Sequence, residues 1–218
     1  MRPRVTVYSE VSADGKTAYR LGSSSKAIMV FEDDDVKHYR HELRAKSDAI
    51  MVGSNTIRLD DPHLTVRHAA GPSPLRVIPA SMGNIPPASN VLADGGRTLV
   101  AVGSSTPNER VEMLRQAGAS VLKMSAEHID LTALLSHLSS TNVQSLMVEG
   151  GATLLAALFR SHLVDRLIVQ HLPVLFGGTD TPCMVGGPAI SSIDEALPLQ
   201  LSDVLRVGKH AVIIYECK

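Results

Sequence analysis

Tryptophan is absent from the 218 residues, and aromatic residues of all kinds make up 3%. A base-stacking platform for single-stranded nucleic acid needs several exposed rings, so that class is excluded. A charge excess is missing too: 21 Lys and Arg stand against 22 Asp and Glu, a formal charge of -1. Such a chain has no broad electrostatic grip on a polyanion or an anionic membrane. The two cysteines, Cys183 and Cys217, are too few for a disulfide framework or a four-thiolate metal site. They fit a reducing compartment. No apolar run approaches the ~20 residues of a spanning helix. The basic start Met1-Arg2-Pro3-Arg4-Val5 leads into a short, polar-interrupted run that lacks a signal-peptide core. These absences predict a cytoplasmic protein that binds neither nucleic acid nor membrane.

What is present is ordinary globular material, 44% hydrophobic and 20% charged. At roughly 100–200 residues per domain, one domain is expected over 1–218. Strand-like and helix-like segments alternate. Arg4 to Val11 carries alternating valines, and Ala49-Ile50-Met51-Val52 is a short apolar run ending at Gly53. Leu75 to Ile78, Thr98 to Val102, Ser120 to Lys123, Ser145 to Val148 and Arg166 to Leu172 read the same way. Helices are expected from Glu32 to Lys46, with acids early and bases late. A further helical turn is expected over Ser54 to Leu59, a helical face on Leu131, Leu134, Leu135 and Leu138, and a helix from Ala152 to Arg160. Thr106-Pro107-Asn108-Glu109 predicts a capping box with Pro at the first helical position, ahead of a helix ending at Ala117. Leu21 to Ser25 reads as a loop, and Gly71 to Gly96, apart from its strand, as a surface excursion. Leu201 to Val207 and Ala211 to Glu216 form an antiparallel pair. The order implies an α/β fold, a mostly parallel central sheet flanked by helices with a C-terminal antiparallel hairpin.

Three features carry candidate chemistry. Glu149-Gly150-Gly151 lies between a strand and a helix, where glycines admit close approach and free helix N–H groups make an anion site. It also reads as a plain tight turn, and neither a G-x-G-x-x-G fingerprint nor a Walker A loop accompanies it. Asp60-Asp61-Pro62 with Leu64 and Arg67 follows Gly53 and Thr56, just past a strand end, where α/β sheets bind ligands. Its carboxylates suit a sugar or amide and its guanidinium a phosphate; it reads equally as a solvated Asp-Pro turn. Ser23-Ser24-Ser25-Lys26 with Arg44 suits a phosphate monoester, or is a flexible loop beside a surface arginine. The nine histidines sit in no His-Glu-x-x-His frame, so no metal site is expected. A G-x-S-x-G nucleophile elbow is lacking as well.

In order along the chain, these residues resemble a known family. The resemblance rests on Asp14-Gly15-Lys16, the run Ser47 to Thr56, Asp60-Asp61-Pro62, Leu64-Thr65-Val66-Arg67 and Val148-Glu149-Gly150-Gly151. Leu163-Val164-Asp165 and Phe176-Gly177-Gly178 complete it. The family is the reductase of riboflavin biosynthesis. It includes the C-terminal half of bacterial deaminase-reductases and the stand-alone ribosylaminopyrimidine phosphate reductases. The resemblance implies a dihydrofolate-reductase-like fold, a homodimer and NADPH as hydride donor. The implied reaction reduces the ribosylamino group of a pyrimidine 5′-phosphate to ribitylamino, with hydride added at C1′. By matching position, Thr56, Asp60, Ser81 and the helix start Gly150, Gly151, Ala152, Thr153 and Leu154 take cofactor roles. Ser25, Arg44, Leu64, Arg67 and Glu149 take substrate roles: the two arginines toward the phosphate or sugar, Glu149 toward the pyrimidine amine edge. Asp60 is the catalytic candidate, to polarise the sugar or shuttle a proton.

Two positions depart from the family pattern. Ala27 stands where a bulky aromatic is common, and Glu10 where a small or apolar residue is common. A dihydrofolate- or pteridine-type reductase, or a non-catalytic nucleotide-binding homologue, are the alternative readings. The deaminase signature H-x-E with P-C-x-x-C is absent, so deaminase activity is expected on a separate protein.

Overall fold

The computed structural model describes residues 1–217. One nine-stranded sheet runs through it. Its strands are β1 (Arg4–Ser12), β2 (Ala49–Met51), β3 (Leu75–Pro79), β4 (Thr98–Val102), β5 (Ser120–Lys123), β6 (Ser145–Val148), β7 (Arg166–Leu172), β8 (Leu199–Val207) and β9 (His210–Cys217). They lie in the order β5-β4-β3-β2-β6-β1-β7-β9-β8. All pairings from β5 across to β7 are parallel; β7–β9 and β8–β9 are antiparallel. The expected parallel sheet with a C-terminal hairpin is what forms.

Six α-helices connect the strands: α1 (Asp34–Ala45), α2 (Ser54–Asp60), α3 (Asn90–Ala93), α4 (Asn108–Gln116), α5 (Leu131–Ser140) and α6 (Ala152–Arg160). The central strands are apolar on both faces because helices cover both. On one face Val5, Val7, Leu146, Val148 and Leu167 pack against Leu134, Leu135 and Leu138 of α5 and Leu155 and Leu158 of α6. On the other, Ile50, Ile78 and Val100 meet Val91 of α3 and Leu114 of α4, while Tyr8, Ile168 and Ile214 form a smaller cluster near α1.

The structure corrects several expectations. No capping box starts α4: Pro107 is its N-cap without a side-chain hydrogen bond. The Thr106 hydroxyl instead donates to the Ser81 carbonyl at 2.7 Å, which ties the β4 end to the β3 end. Helix α1 is capped by Asp33, whose carboxylate accepts from Val36 N, and Glu32 stays outside it, buried. The excursion after β3 is partly core, since Ile85, Val91 and Leu92 are buried. The serine loop gives way to a 3-10 helix over Ser25–Phe31. Its seven residues are too short a run for a helical period to show in sequence.

In β1, β2, β3 and β6 the chain runs toward the same end of the sheet. Strand β6, sixth in sequence, is inserted between β2 and β1. At such a reversal of strand order the loops diverge and leave a crevice beyond the carboxyl ends.

Candidate active site

That crevice is a cavity of about 1040 Å³. Pockets for single small molecules run to roughly 1,000 Å³, so there is room for an extended ligand or for two. Its walls come from the ends of β1 (Tyr8, Glu10), β2 (Val52, Gly53), β3 (Pro79, Ser81) and β6 (Glu149 to Gly151), with α2 and the start of α6. Every site residue expected from the sequence lines it: Ser25, Arg44, Thr56, Asp60, Leu64, Arg67, Ser81, Glu149 and Gly150 through Leu154.

The diglycine turn is built for close approach. Gly150 and Gly151 both have φ +95, a conformation L side chains rarely adopt. A Cβ on Gly150 would meet nothing within 4 Å, so its missing side chain leaves open space in the cavity wall. Gly151 is the N-cap of α6 and brings no side-chain cap. The first N–H groups of a nine-residue helix are thus left to a ligand, and with the helix dipole they favour an anion.

Asp60 ends α2 and is 8% exposed. Its two oxygens accept from Ser25, the backbone N at 3.0 Å and the hydroxyl at 2.6 Å. Ser25 thereby gives its proton to Asp60 and turns acceptor lone pairs outward. The chain leaves α2 through Asp61, in left-handed conformation at φ 38. Asn90 holds Asp61 there, donating from its backbone N at 2.8 Å and its side-chain amide at 2.9 Å.

Arg44 and Glu149, given separate roles by the sequence, are partners. Nε and Nη2 of Arg44 donate to the two Glu149 oxygens at 2.6 and 2.5 Å. Nη1 donates to Thr65 O at 3.0 Å. Arg44 therefore presents no free fork to a phosphate, and the proposed serine-lysine-arginine phosphate site is not assembled. Ser23 donates to Arg20 O, Ser24 caps the 3-10 helix, and Lys26 donates to Asp61 O. Burial acts to raise the Glu149 pKa, but the charge and hydrogen bonds of Arg44 outweigh it and hold the carboxyl below its usual range. Arg67 is the guanidinium left facing the cavity: its one side-chain bond is to Thr65 Oγ1 at 2.9 Å. Its backbone N donates to His41 Nδ1 at 2.9 Å. Burial first, then Arg44 and Arg40, pulls the His41 pKa down to about 3, so this imidazole is a neutral acceptor.

Some lining residues had no local sequence signal. Tyr8 and Glu10 share one face of β1, a position fixed only by the central place of that strand. Ile28 and Met29 line the wall, while Ala27 beside them is exposed. His128 and Ile129 reach the far end because their loop is sewn to β3 and β4. Ile129 N donates to Ser81 Oγ at 3.3 Å, and Ser104 N to Ala126 O at 2.9 Å. A Cβ on Gly103 would lie 1.9 Å from Glu127 O, so only glycine lets this loop sit so close. No group of three His, Cys, Asp or Glu among the described residues could hold a metal ion. Nor is any described helix long and apolar enough to cross a membrane.

The chain is 41% identical over 216 residues to a protein of Aquifex aeolicus named 2,5-diamino-6-ribosylamino-4(3H)-pyrimidinone 5′-phosphate reductase, covering 99% of this chain and 96% of the relative. It is 37% identical over 221 residues to a protein of the same name from Methanothermobacter thermautotrophicus, covering all of both. Acinetobacter baumannii RibD has the same fold, with a TM-score of 0.81 at 23% identity, over all of this chain and 58% of that one. The family profile described as the RibD C-terminal domain matches residues 3–213, and the chain belongs to that family.

Proposed function

We propose that this protein is the NADPH-dependent reductase of riboflavin biosynthesis, converting the ribosylamino group of a pyrimidine 5′-phosphate to ribitylamino. The observation that carries it is the single cavity in which the bare start of α6, the Asp60–Ser25 pair, Arg67 and Glu149 converge. The relatives that match nearly the whole chain bear the name of that reaction.

The residues present fit a dinucleotide. The N–H groups of Ala152, Thr153 and Leu154 would take the pyrophosphate, and the space left by Gly150 admits it. When bound, NADPH supplies the hydride. The chain's own part is position and electrostatics. Arg67 holds the sugar phosphate, and His41 fixes its backbone. Glu149, locked by Arg44, accepts from the pyrimidine N–H edge. Asp60 and Ser25 face the sugar, where opening the furanose to the imine moves a proton from the amino nitrogen to the ring oxygen, and hydride addition at C1′ then needs one proton at that nitrogen. A pteridine substrate brings no phosphate and leaves Arg67 unmatched.

A homodimer is part of this reading. Among the described residues strand β8 pairs only with β9, so its outer edge is open. It exposes Leu199, Leu201 and Val204 at 40%, 57% and 58%. An open apolar edge asks for cover, and a second copy of the chain supplies it.

The test is the loss of the reduced-nicotinamide absorbance with each pyrimidine 5′-phosphate and each nicotinamide cofactor. Oxidation of NADPH that depends on the pyrimidine phosphate supports the reading. No oxidation with either pyrimidine, or activity with dihydrofolate instead, overturns it.

A further inference from the structure

Beneath the cavity three carboxyl groups meet two buried arginines, with Arg67 beside them on the cavity wall. Arg40 and Arg44 stand one turn apart on the buried face of α1. Arg44 is taken by Glu149. Arg40 is gripped by both oxygens of Glu32 at 2.6 and 3.0 Å, and the Glu32 side chain is 1% exposed. Gln170 donates to Glu32 at 3.2 Å while accepting from the Tyr8 hydroxyl, which locks Glu32 in place. Glu10 then reaches the same Arg40 guanidinium from β1. Three carboxyl groups share these two guanidinium groups, and burial pushes the sealed Glu32 up to about 7, so Glu10 and Glu149 carry the fixed negative charge at neutral pH. His41 is neutral, and Lys37, on the same helix, pairs with Asp34.

Of the three acids, Glu32 is sealed inside, while Glu10 and Glu149 line the cavity. Glu10 keeps 17% of its side chain exposed there. A carboxylate only accepts hydrogen bonds. Two of them on one floor call for a ligand rich in N–H donors, and Glu10 is the one whose arginine is already satisfied.

We propose that Glu10 is a specificity-determining residue: its carboxylate accepts from the 2-amino group of a diaminopyrimidinone and rejects the 2-oxo group of the deaminated uracil. This rests on the reductase reading, whose relatives are named for the diaminopyrimidinone, and extends it by naming the residue that selects between the two pyrimidines. At ring position 2 the first offers two N–H donors. The second offers a carbonyl oxygen, which would set acceptor against acceptor out of bulk water. Sites that hydrogen-bond a substrate group discriminate strongly against an analogue lacking it, because buried polar groups are then left unpaired.

The experiment measures kcat/KM for both pyrimidine 5′-phosphates with NADPH in the wild type, Glu10→Gln and Glu10→Ala. The wild type is expected to favour the diaminopyrimidinone by at least ~10-fold. Glutamine adds a donor, so Glu10→Gln should cut that ratio ~10-fold or more, with the uracil gaining in absolute terms. Glu10→Ala should remove the preference. A ratio within one variant is unaffected by loss of folded protein. A wild type that treats both pyrimidines alike, or an unchanged ratio in both variants, overturns the proposal. Turnover of both without discrimination leaves the reductase reading standing; turnover of neither ends that reading.

Discussion

The Arg44 guanidinium and the Glu149 carboxylate lie side by side, their two hydrogen bonds 2.6 and 2.5 Å long, and so join α1 to the end of β6. Both side chains are nearly covered, at 6% and 11% exposure. A buried pair of this kind adds little over a well-packed apolar substitute, but breaking it strands a charge. Arg44→Ala is therefore expected to destabilise the fold by about 3–5 kcal/mol. Arg44→Lys should recover only part, since an ammonium cannot make both bonds in parallel. Urea unfolding checks this, and a loss under about 1 kcal/mol for Arg44→Ala would contradict it.

Arg67 has the opposite character. It faces the cavity with a single side-chain bond, to Thr65. Arg67→Ala should raise the KM for the pyrimidine phosphate about 100-fold, the scale of a lost charge-assisted pair. The KM for NADPH should stay within about twofold, because the proposed pyrophosphate site is the start of α6, not Arg67. Equal rises in both constants would remove Arg67 from the phosphate role.

The contrast between these arginines shows what the sequence made legible. Strands such as Thr98–Val102 and the Gly150-Gly151 turn are local, and their apolar runs and glycines announced them. The residues around the cavity were legible as motifs because they cluster after strand ends. Which of them bind each other was not legible. Arg44 and Glu149 lie 105 positions apart, and only the insertion of β6 beside β2 brings them together. Glu10 and Arg40 meet for the same kind of reason, across β1 and α1. Thr106 looked like a helix cap because its neighbours fit the pattern; the Ser81 carbonyl, 25 positions away, captured its hydroxyl.

Asp60 is held at both oxygens by Ser25, so its geometry survives the loss of its charge better than its chemistry does. Asp60→Asn is expected to lower kcat by about 10²-fold or more, as for loss of a general acid-base group. Thermal stability should fall by only about 1 kcal/mol, one hydrogen bond's worth. Unchanged kcat in a folded variant would take Asp60 out of the reaction.

The far end of the cavity predicts how the cofactor is told from its dephospho form. On the proposed function, with the reacting ring near Asp60 and Arg67, the adenosine end would extend toward Ser81 and His128, which line the same cavity. The Ser81 hydroxyl accepts from Ile129 N, which leaves its proton to donate, and His128 can share the 2′-phosphate. His128→Ala is expected to weaken binding of adenosine 2′,5′-bisphosphate about 10-fold while leaving 5′-AMP unaffected. Isothermal titration of both nucleotides measures this, and equal weakening would assign His128 to the adenine or to packing instead.

His41 ties stability to pH in a direction fixed by its neighbours. In the folded protein burial, Arg44 and Arg40 hold its pKa near 3. In the unfolded chain an imidazole titrates near 6.5. Between these values the unfolded state binds the extra proton, so this contribution is intact above pH ~6.5 and is lost progressively as pH falls toward ~3. His41→Asn keeps an acceptor for the Arg67 N–H but has no proton to gain. The variant should therefore show a shallower fall of the urea midpoint between pH ~6.5 and ~4 than the wild type. Parallel profiles would mean that the imidazole is protonated in the folded state and that Arg67 is held by some other contact.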